Sequence, residues 1–368
     1  MRLGFLTSDL QHGHGWGHYS LSLIRALRAE GAEMTVVAAH NTPDDSDFPV
    51  LPLLPAVSPR DRFFLPRLSF AAGRVRDALK DCDVIHSHIE PYAPLAVWLA
   101  GERPLFITGH GSYVRLPQTR RWPVGTIYRR SFAAGTMVCV SHYTESVARA
   151  LMPGLRTVVV NNGVDIERFA HLPPLDTPQR GPTVLAVGGV KARKGTLELV
   201  RAMAVIRRTL PEAQCVILGG QTAEPAYTEQ VQAEIAALGL TDCVHLPGHV
   251  PEHTLKAWYG AADVFALPSM NDGWKFEGYG LVHLEASAAG LPVIGTTGCG
   301  AEDAVEDGVT GLLIPQDTIA TALPKALLRL LHDPALARRM GAAGRERAAR
   351  QTWTHVARRM LVVYGDSA

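Results

Sequence analysis

The residues best suited to chemistry lie between Ser269 and Glu285, reading SMNDGWKFEGYGLVHLE. Glu277 and Glu285 stand on either side of a Gly278-Tyr279-Gly280 turn, after the apolar run Ala262 to Leu267 and before a helical-period stretch. Gly278 and Gly280 let the backbone pass close to a ligand. The N–H groups of Tyr279, Gly280, Leu281 and Val282 would then open a helix, where unpartnered donors and the helix dipole favour a phosphate or diphosphate. An offset of eight residues spans ~12 Å if wholly helical. That is comparable to the reach from a hexose to a ribose across a diphosphate, so each carboxylate could accept hydroxyls at opposite ends of one sugar nucleotide. The same pair also reads as a helix N-terminal acid at Glu277 and a solvent-facing Glu285. The residues alone leave both readings open.

Three further loops follow apolar runs. Lys191, Arg193, Lys194 and Gly195 come directly after Val184 to Val187, where cations could meet an anion. Ser8 to Gly17 carries Gly13, Gly15 and Gly17, but the spacing is not G-x-G-x-x-G and no P-loop lysine follows, so dinucleotide and Walker readings lack support. These glycines serve either close ligand approach or a tight turn. His110 follows Leu105 to Thr108; an imidazole there can donate to a hydroxyl or stabilise developing charge near neutral pH. His86 and His88 end the preceding run and suit a core as well as a cleft. Between Gly111 and Gly135 stand Arg115, Arg120, Arg121, Arg129 and Arg130 with Tyr113, Trp122 and Tyr128 and no acid, and Arg60, Arg62, Arg67, Arg74 and Arg76 surround Phe63, Phe64 and Leu65. This basic, aromatic bias fits an anionic acceptor, a peripheral membrane surface or a solvated face.

Positioning these loops requires strands that end in them. Apolar runs at Leu3 to Thr7, Met34 to Ala39, Val84 to Ser87, Leu105 to Thr108 and Met137 to Val140 alternate with helices at about 18 to 30 and 70 to 80. The alternation breaks at the Pro-rich Leu172 to Pro178. It restarts through Val184 to Val187, Cys215 to Leu218, Val244 to Leu246, Val264 to Leu267, Val293 to Gly295 and Leu312 to Ile314. Helices are expected at about 196 to 208, 226 to 238, 280 to 289, 318 to 332, 334 to 349 and 353 to 364. Strands alternating with helices imply parallel sheets. The expected class is α/β with two Rossmann-like, doubly wound domains facing a central cleft: 1–172, a linker 173–181, a second domain 182–350, and a helix in 351–368 that could pack back on the first. A chain of 368 residues suits two domains at roughly 150 residues each.

Composition removes other classes. Apolar residues make up 47% and charged residues 19%, with 36 Lys+Arg against 35 Asp+Glu, so global disorder and a surface built to coat nucleic acid are both excluded. Cys82, Cys139, Cys215, Cys243 and Cys299 form no CxxC pair and offer no disulfide framework or zinc site. Asp9 interrupts any leader-like apolar run, and nothing reaches the ~18 apolar residues of a membrane span. A cytoplasmic protein is expected, or one at the inner face of the membrane.

The segment EGYGLVHLEASAAGLPVI from 277 to 294 resembles the Glu-x7-Glu signature of family-four retaining glycosyltransferases, which have the GT-B fold. Asn161-Asn162-Gly163-Val164-Asp165 with Phe169, Lys194-Gly195, Gly298 to Glu302, and Asp307 to Leu313 resemble further landmarks of that family in the same order. The match covers most of 182 to 316 and scattered loops before it. The resemblance implies a metal-independent, retaining transfer of a hexosyl unit from a nucleoside-diphosphate sugar to a glycan, lipid-linked or small-molecule acceptor, by front-side attack and with no cofactor. It implies that Glu277 contacts the donor sugar, Glu285 the ribose and His110 the sugar's far side. Gly15 or Gly17 would lie against the diphosphate, and Lys194 with Arg193 would hold its charge. One position departs from the pattern: the family commonly has Gly-Arg where this chain has Gly188-Gly189. A sugar-nucleotide-binding pseudoenzyme or assembly partner, and a GT-B nucleotide-sugar 2-epimerase, are the alternatives.

Overall fold

A computed structural model describes residues 1–11, 15–40, 47–57, 61, 63–176 and 181–366. Gly13, Arg60, Arg62 and residues 177–180 of the expected linker lie outside the described residues. The chain divides into two compact units, Met1–Asn162 with the residues from Trp353 onward, and Gly163–Thr352.

The first unit holds seven parallel strands: β1 (Arg2–Leu6), β2 (Glu33–Ala39), β3 (Val50–Leu54), β4 (Val84–Ser87), β5 (Leu105–Gly109), β6 (Thr136–Cys139) and β7 (Thr157–Val159), in the order β3-β2-β1-β4-β5-β6-β7. The central strands are buried on both faces, as in a sheet covered by helices on each side. β3 was not expected, because Pro52 interrupts its run. It is an edge strand, where a missing N–H is tolerated. Helix Phe64–Ala78 starts well before residue 70 because Pro66 sits in its first turn, where proline costs nothing. Helices Ala93–Ala100, Val124–Ala134 and His142–Leu151 occupy stretches where no element was expected. The first of these is apolar nearly throughout and so shows no amphipathic period. Helix Trp353–Gly365 belongs to this unit, and its Tyr364 hydroxyl lies 2.7 Å from His86 Nδ1.

The second unit holds β8 (Thr183–Val187), β9 (Gln214–Leu218), β10 (Val244–Gly248), β11 (Val264–Ala266), β12 (Val293–Thr296) and β13 (Gly311–Ile314), all parallel, in the order β10-β9-β8-β11-β12-β13. Val184, Ile217, Val264 and Ile294 from four adjacent strands share one core with Leu199, Met203 and Leu327 of the covering helices. The Pro-rich stretch after Leu172 falls inside this unit's sequence range, whose first residues are tied to its last: Val164 N–H donates to Gln351 O (2.9 Å) and pairs with Thr352.

In both sheets the strand order reverses once, between β1 and β4 and between β8 and β11. Loops leaving the carboxyl ends of such neighbours diverge and leave a crevice, the usual ligand position of a doubly wound sheet. The loops after β8 and β11 carry Lys194 and Glu277. Those after β1, β4 and β5 carry Gly15, Glu90 and His110.

Candidate functional site

In the second unit, a glycine brings the loops after β8 and β11 together. Gly195 has φ +66°, and a Cβ there would lie 1.9 Å from Pro268 O, so only glycine fits where the two backbones touch. That contact places the turn Ala192–Lys194 beside Glu277. Lys194 Nζ donates to Glu277 Oε2, Arg193 Nη1 donates to the same oxygen (2.9 Å), and Ser269 Oγ donates to it as well (3.3 Å). Glu277 Oε1 makes no hydrogen bond among the described residues. Burial alone would push the Glu277 carboxyl up, but Lys194 and Arg193 outweigh it and hold it well below the usual carboxylate range. Burial lowers Lys194, against the pull of Glu277. The arrangement is one fixed anion, locked by two cations on one oxygen and open on the other.

Helix Leu281–Ala289 begins at this carboxylate. Gly280 has φ +79° and is held by His283, whose Nδ1 lies 3.0 Å from Gly280 O. The helix has no acid in its first turn, and the N–H groups of Leu281 and Val282 precede the first intrahelical acceptor. Tyr279 is buried and belongs to the core. Gly300 packs against this turn: a Cβ on Gly300 would lie 1.9 Å from Gly278 O, and Gly300 N–H donates to Glu277 O (2.8 Å). The Gly298 to Glu302 segment therefore braces the turn from behind.

Glu285 is 5% exposed, which removes the solvent-facing reading. Its Oε1 accepts from Arg168 Nη1 (2.9 Å) and its Oε2 from the Tyr259 hydroxyl (3.0 Å). Arg168 also grips Glu252 through two bonds of 2.6 and 3.0 Å. Asp165 of the Asn-Gly-Val-Asp turn caps the turn that presents Arg168, accepting from its N–H at 3.4 Å. The figure of ~12 Å holds for a wholly helical span. The helix starts at Leu281, so only the last stretch of that interval is helical.

In the first unit His110 directly follows β5. Its N–H donates to Glu90 Oε1 (2.7 Å), and its Nε2 lies 2.7 Å from His88 O. A carbonyl at that distance fixes the proton on Nε2, so Nδ1 of the neutral ring is an acceptor and the expected donation to a hydroxyl reverses. Burial pushes His110 down to about 4. Glu90 is fully buried, its Oε2 has no partner among the described residues, and burial pushes its carboxyl up to about 8. Sequence reasoning passed over Glu90, although an acid just after the His-Ser-His strand end was a usable signal. His86 and His88 are core residues with no exposed surface.

The two candidate glycines separate. Gly17 is buried, and a Cβ there would lie 1.9 Å from Asp9 Oδ1, so its requirement is internal. Gly15 opens helix Gly15–Ala29, is exposed and has nothing within 4 Å of a Cβ position. The basic, aromatic bias also divides. Tyr128 is buried with its hydroxyl on Pro91 O (3.1 Å), and Phe64 is buried. Phe70 and Trp122 are 87% and 85% exposed. All five cysteines are free and buried. Among the described residues no cluster of three or more metal-ligating side chains occurs, and no helix is long and apolar enough to cross a membrane.

Residues 167–347 match the family described as Glycosyl transferases group 1, and residues 14–168 match Glycosyltransferase Family 4. The chain is 33% identical, over 74% of its length and 74% of the relative's, to the GDP-mannose-dependent alpha-(1-6)-phosphatidylinositol monomannoside mannosyltransferase of Mycolicibacterium smegmatis. It is 31% identical, over 96% of its length and 88% of the relative's, to the D-inositol 3-phosphate glycosyltransferase of Streptosporangium roseum. Among solved structures, sucrose-phosphate synthase of Thermosynechococcus elongatus superposes with a TM-score of 0.78 at 24% identity, covering 99% of this chain and 98% of that one. Anabaena HepE superposes with a TM-score of 0.76 at 18% identity over the full length of both chains. These neighbours share the two-domain GT-B fold.

Proposed function

The chain belongs to the group 1, family 4 glycosyltransferases, and from that premise we propose that it transfers a hexosyl unit from a nucleoside-diphosphate sugar with retention and without a metal. The convergence of Lys194 and Arg193 on Glu277, at the start of a helix whose first N–H groups have no intrahelical acceptor, supports this reading most directly. As the sugar leaves, the bond from its anomeric carbon to the β-phosphate oxygen breaks and negative charge collects on the diphosphate. Lys194, Arg193 and the N–H groups of Leu281 and Val282 stabilise that charge from fixed positions. The acceptor oxygen attacks the same face, and its proton passes to the departing phosphate oxygen. Glu277 Oε1 accepts from a donor-sugar hydroxyl, Glu285 from the ribose, and His110 Nδ1 from a hydroxyl on the sugar's far side. Gly15 gives the diphosphate room in the first loop.

The proposed donor is a mannosyl nucleotide such as GDP-mannose, after the name of the mycobacterial relative, and the proposed acceptor bears an inositol, after the names of both relatives. An acceptor in a lipid surface fits the exposed Phe70 and Trp122, with exposed arginines close to each in sequence. The test is release of GDP from GDP-mannose with inositol 3-phosphate or phosphatidylinositol vesicles, with and without EDTA, and the product's anomeric configuration by NMR. Lys194→Ala should lower turnover ~10²-fold. Full activity of that variant would overturn the assignment, and inactivation by EDTA would overturn the metal-free step.

A further inference from the structure

The loop after β8 carries more positive charge than its carboxylates neutralise. Lys194 and Arg193 share the single carboxylate of Glu277. Lys275 is paired with Glu224 (2.6 Å) and lies 3.6 Å from Asp272. Lys191 makes no ion pair among the described residues, although it is half-buried. Four cations therefore face three carboxylates, and the charge left over sits on Lys191. Its side chain runs along Gly189, the second of the two glycines that leave β8: a Cβ on Gly189 would lie 3.3 Å from Lys191 Cε, 3.9 Å from its Nζ and 3.3 Å from Gly220 O. Lys194 runs alongside Gly188 in the same way, with Cε 3.6 Å from a Cβ placed there. Two ammonium stems thus lie side by side against a bare Gly-Gly backbone. Gly189 is not in the left-handed region, so nothing in its own backbone conformation demands glycine.

We infer that Lys191 is a further donor-binding residue, its ammonium contacting the diphosphate from the space that a long side chain at position 189 would otherwise fill. The inference rests on the donor site proposed above. A half-buried cation without a counter-ion is costly, and a bound diphosphate supplies the missing charge. Burial and then the neighbouring Arg193 lower the proton affinity of Lys191, as expected for a cation short of an anion, with Glu224 and Glu277 opposing and Lys275 reinforcing the trend. Arg193 differs from it in having its guanidinium already on Glu277.

The experiment measures binding of inorganic pyrophosphate and of GDP by calorimetry at low ionic strength, with thermal unfolding as the check that each variant folds. Lys191→Ala should weaken both ligands about tenfold. Adding Gly189→Arg to Lys191→Ala should restore binding to within about threefold of the parent, because the new guanidinium grows from the Cβ position that Lys191 now overlies. Lys194→Ala is the control for the site itself. Wild-type affinity in Lys191→Ala together with loss in Lys194→Ala overturns the role of Lys191 and leaves the donor site standing. Wild-type affinity in both overturns the inference and the donor site together. Failure of the double variant to recover, while both single variants lose binding, overturns the shared location.

Discussion

Replacing Glu277 by Gln keeps the side chain's shape and removes the one anion that Lys194 and Arg193 share. Each cation approaches the carboxylate to about 3 Å, worth roughly 5 kcal/mol of gross attraction at an effective dielectric of 20. Most of that offsets the loss of water around buried charges. Breaking a buried pair by removing one partner costs about 3 to 5 kcal/mol. The side chains of Lys194 and Arg193 retain 12% and 23% exposure, and Gln still accepts a hydrogen bond, so the lower end, ~3 kcal/mol, applies. For a unit of this size that lowers Tm by roughly 6 to 12 °C in the unliganded protein. The sign for ligand is opposite. With the internal competitor gone, both cations are free for a diphosphate, so GDP should bind as tightly as before or up to about tenfold tighter, narrowing the stability gap by ~1.4 kcal/mol. Turnover should still collapse, because the hydroxyl acceptor has lost its charge. Differential scanning fluorimetry with and without GDP, beside a transfer assay, measures all three. An unliganded Tm equal to wild type combined with weaker GDP binding would refute the reasoning, since it would make Glu277 a ligand-binding anion with no counter-charge role.

Glu285→Ala should weaken GDP by roughly 1.5 to 3 kcal/mol, as for a hydrogen bond to a charged group, whereas Tyr259→Phe removes only the internal bond and should leave GDP affinity alone; titration calorimetry on both checks this. His110→Gln should keep the fold and lower turnover, and His110→Ala should do the same, measured as kcat beside Tm; a drop in Tm with kcat intact would make His110 a core residue only. The buried histidines and Glu90 impose opposite pH trends. His86 and His110, lowered to about 3 and 4, make the unfolded chain the better proton binder below pH 6.5, so stability falls as pH drops through that range. Glu90, raised to about 8, makes the folded chain the better binder from 4.5 upward, so stability falls as pH climbs towards 8. Glu90→Gln should abolish the decline between pH 6.5 and 8, up to about 2 kcal/mol; denaturant titrations across that range decide it, and an unchanged slope would assign the decline elsewhere.

The second unit was largely legible because its strands are short, apolar and β-branched and its chemistry sits in loops directly after them. Lys194, Glu277 and Glu285 stand out as candidates by type and place, and the structure brings Lys194 onto Glu277. What could not be found was pairing. Nothing in the spacing of Arg168 and Glu285, or of Lys191 and Gly189, shows that they meet, because the contacts are set by loops that cross between strands. The first unit was less legible for a different reason. Pro52 hid an edge strand, and Ala93–Ala100 is buried on nearly every side and so shows no period. Glu90 escaped because a buried acid looks the same in sequence as a solvated one.

The surplus positive charge beside β8 also bears on what happens after chemistry. A nucleoside diphosphate carries one more negative charge than the sugar nucleotide from which it came, and in the donor site proposed above Lys191, which has no ion pair among the described residues, would meet part of that added charge. On that proposal the product would be held more firmly than the substrate. Cleaving the donor would then be favoured and vacating the pocket slow, so the spent nucleotide would act as a competitive brake on the next cycle. Raising ionic strength weakens that grip and speeds departure, and a cell that clears nucleoside diphosphates quickly would set the pace of this protein more than one that supplies more donor.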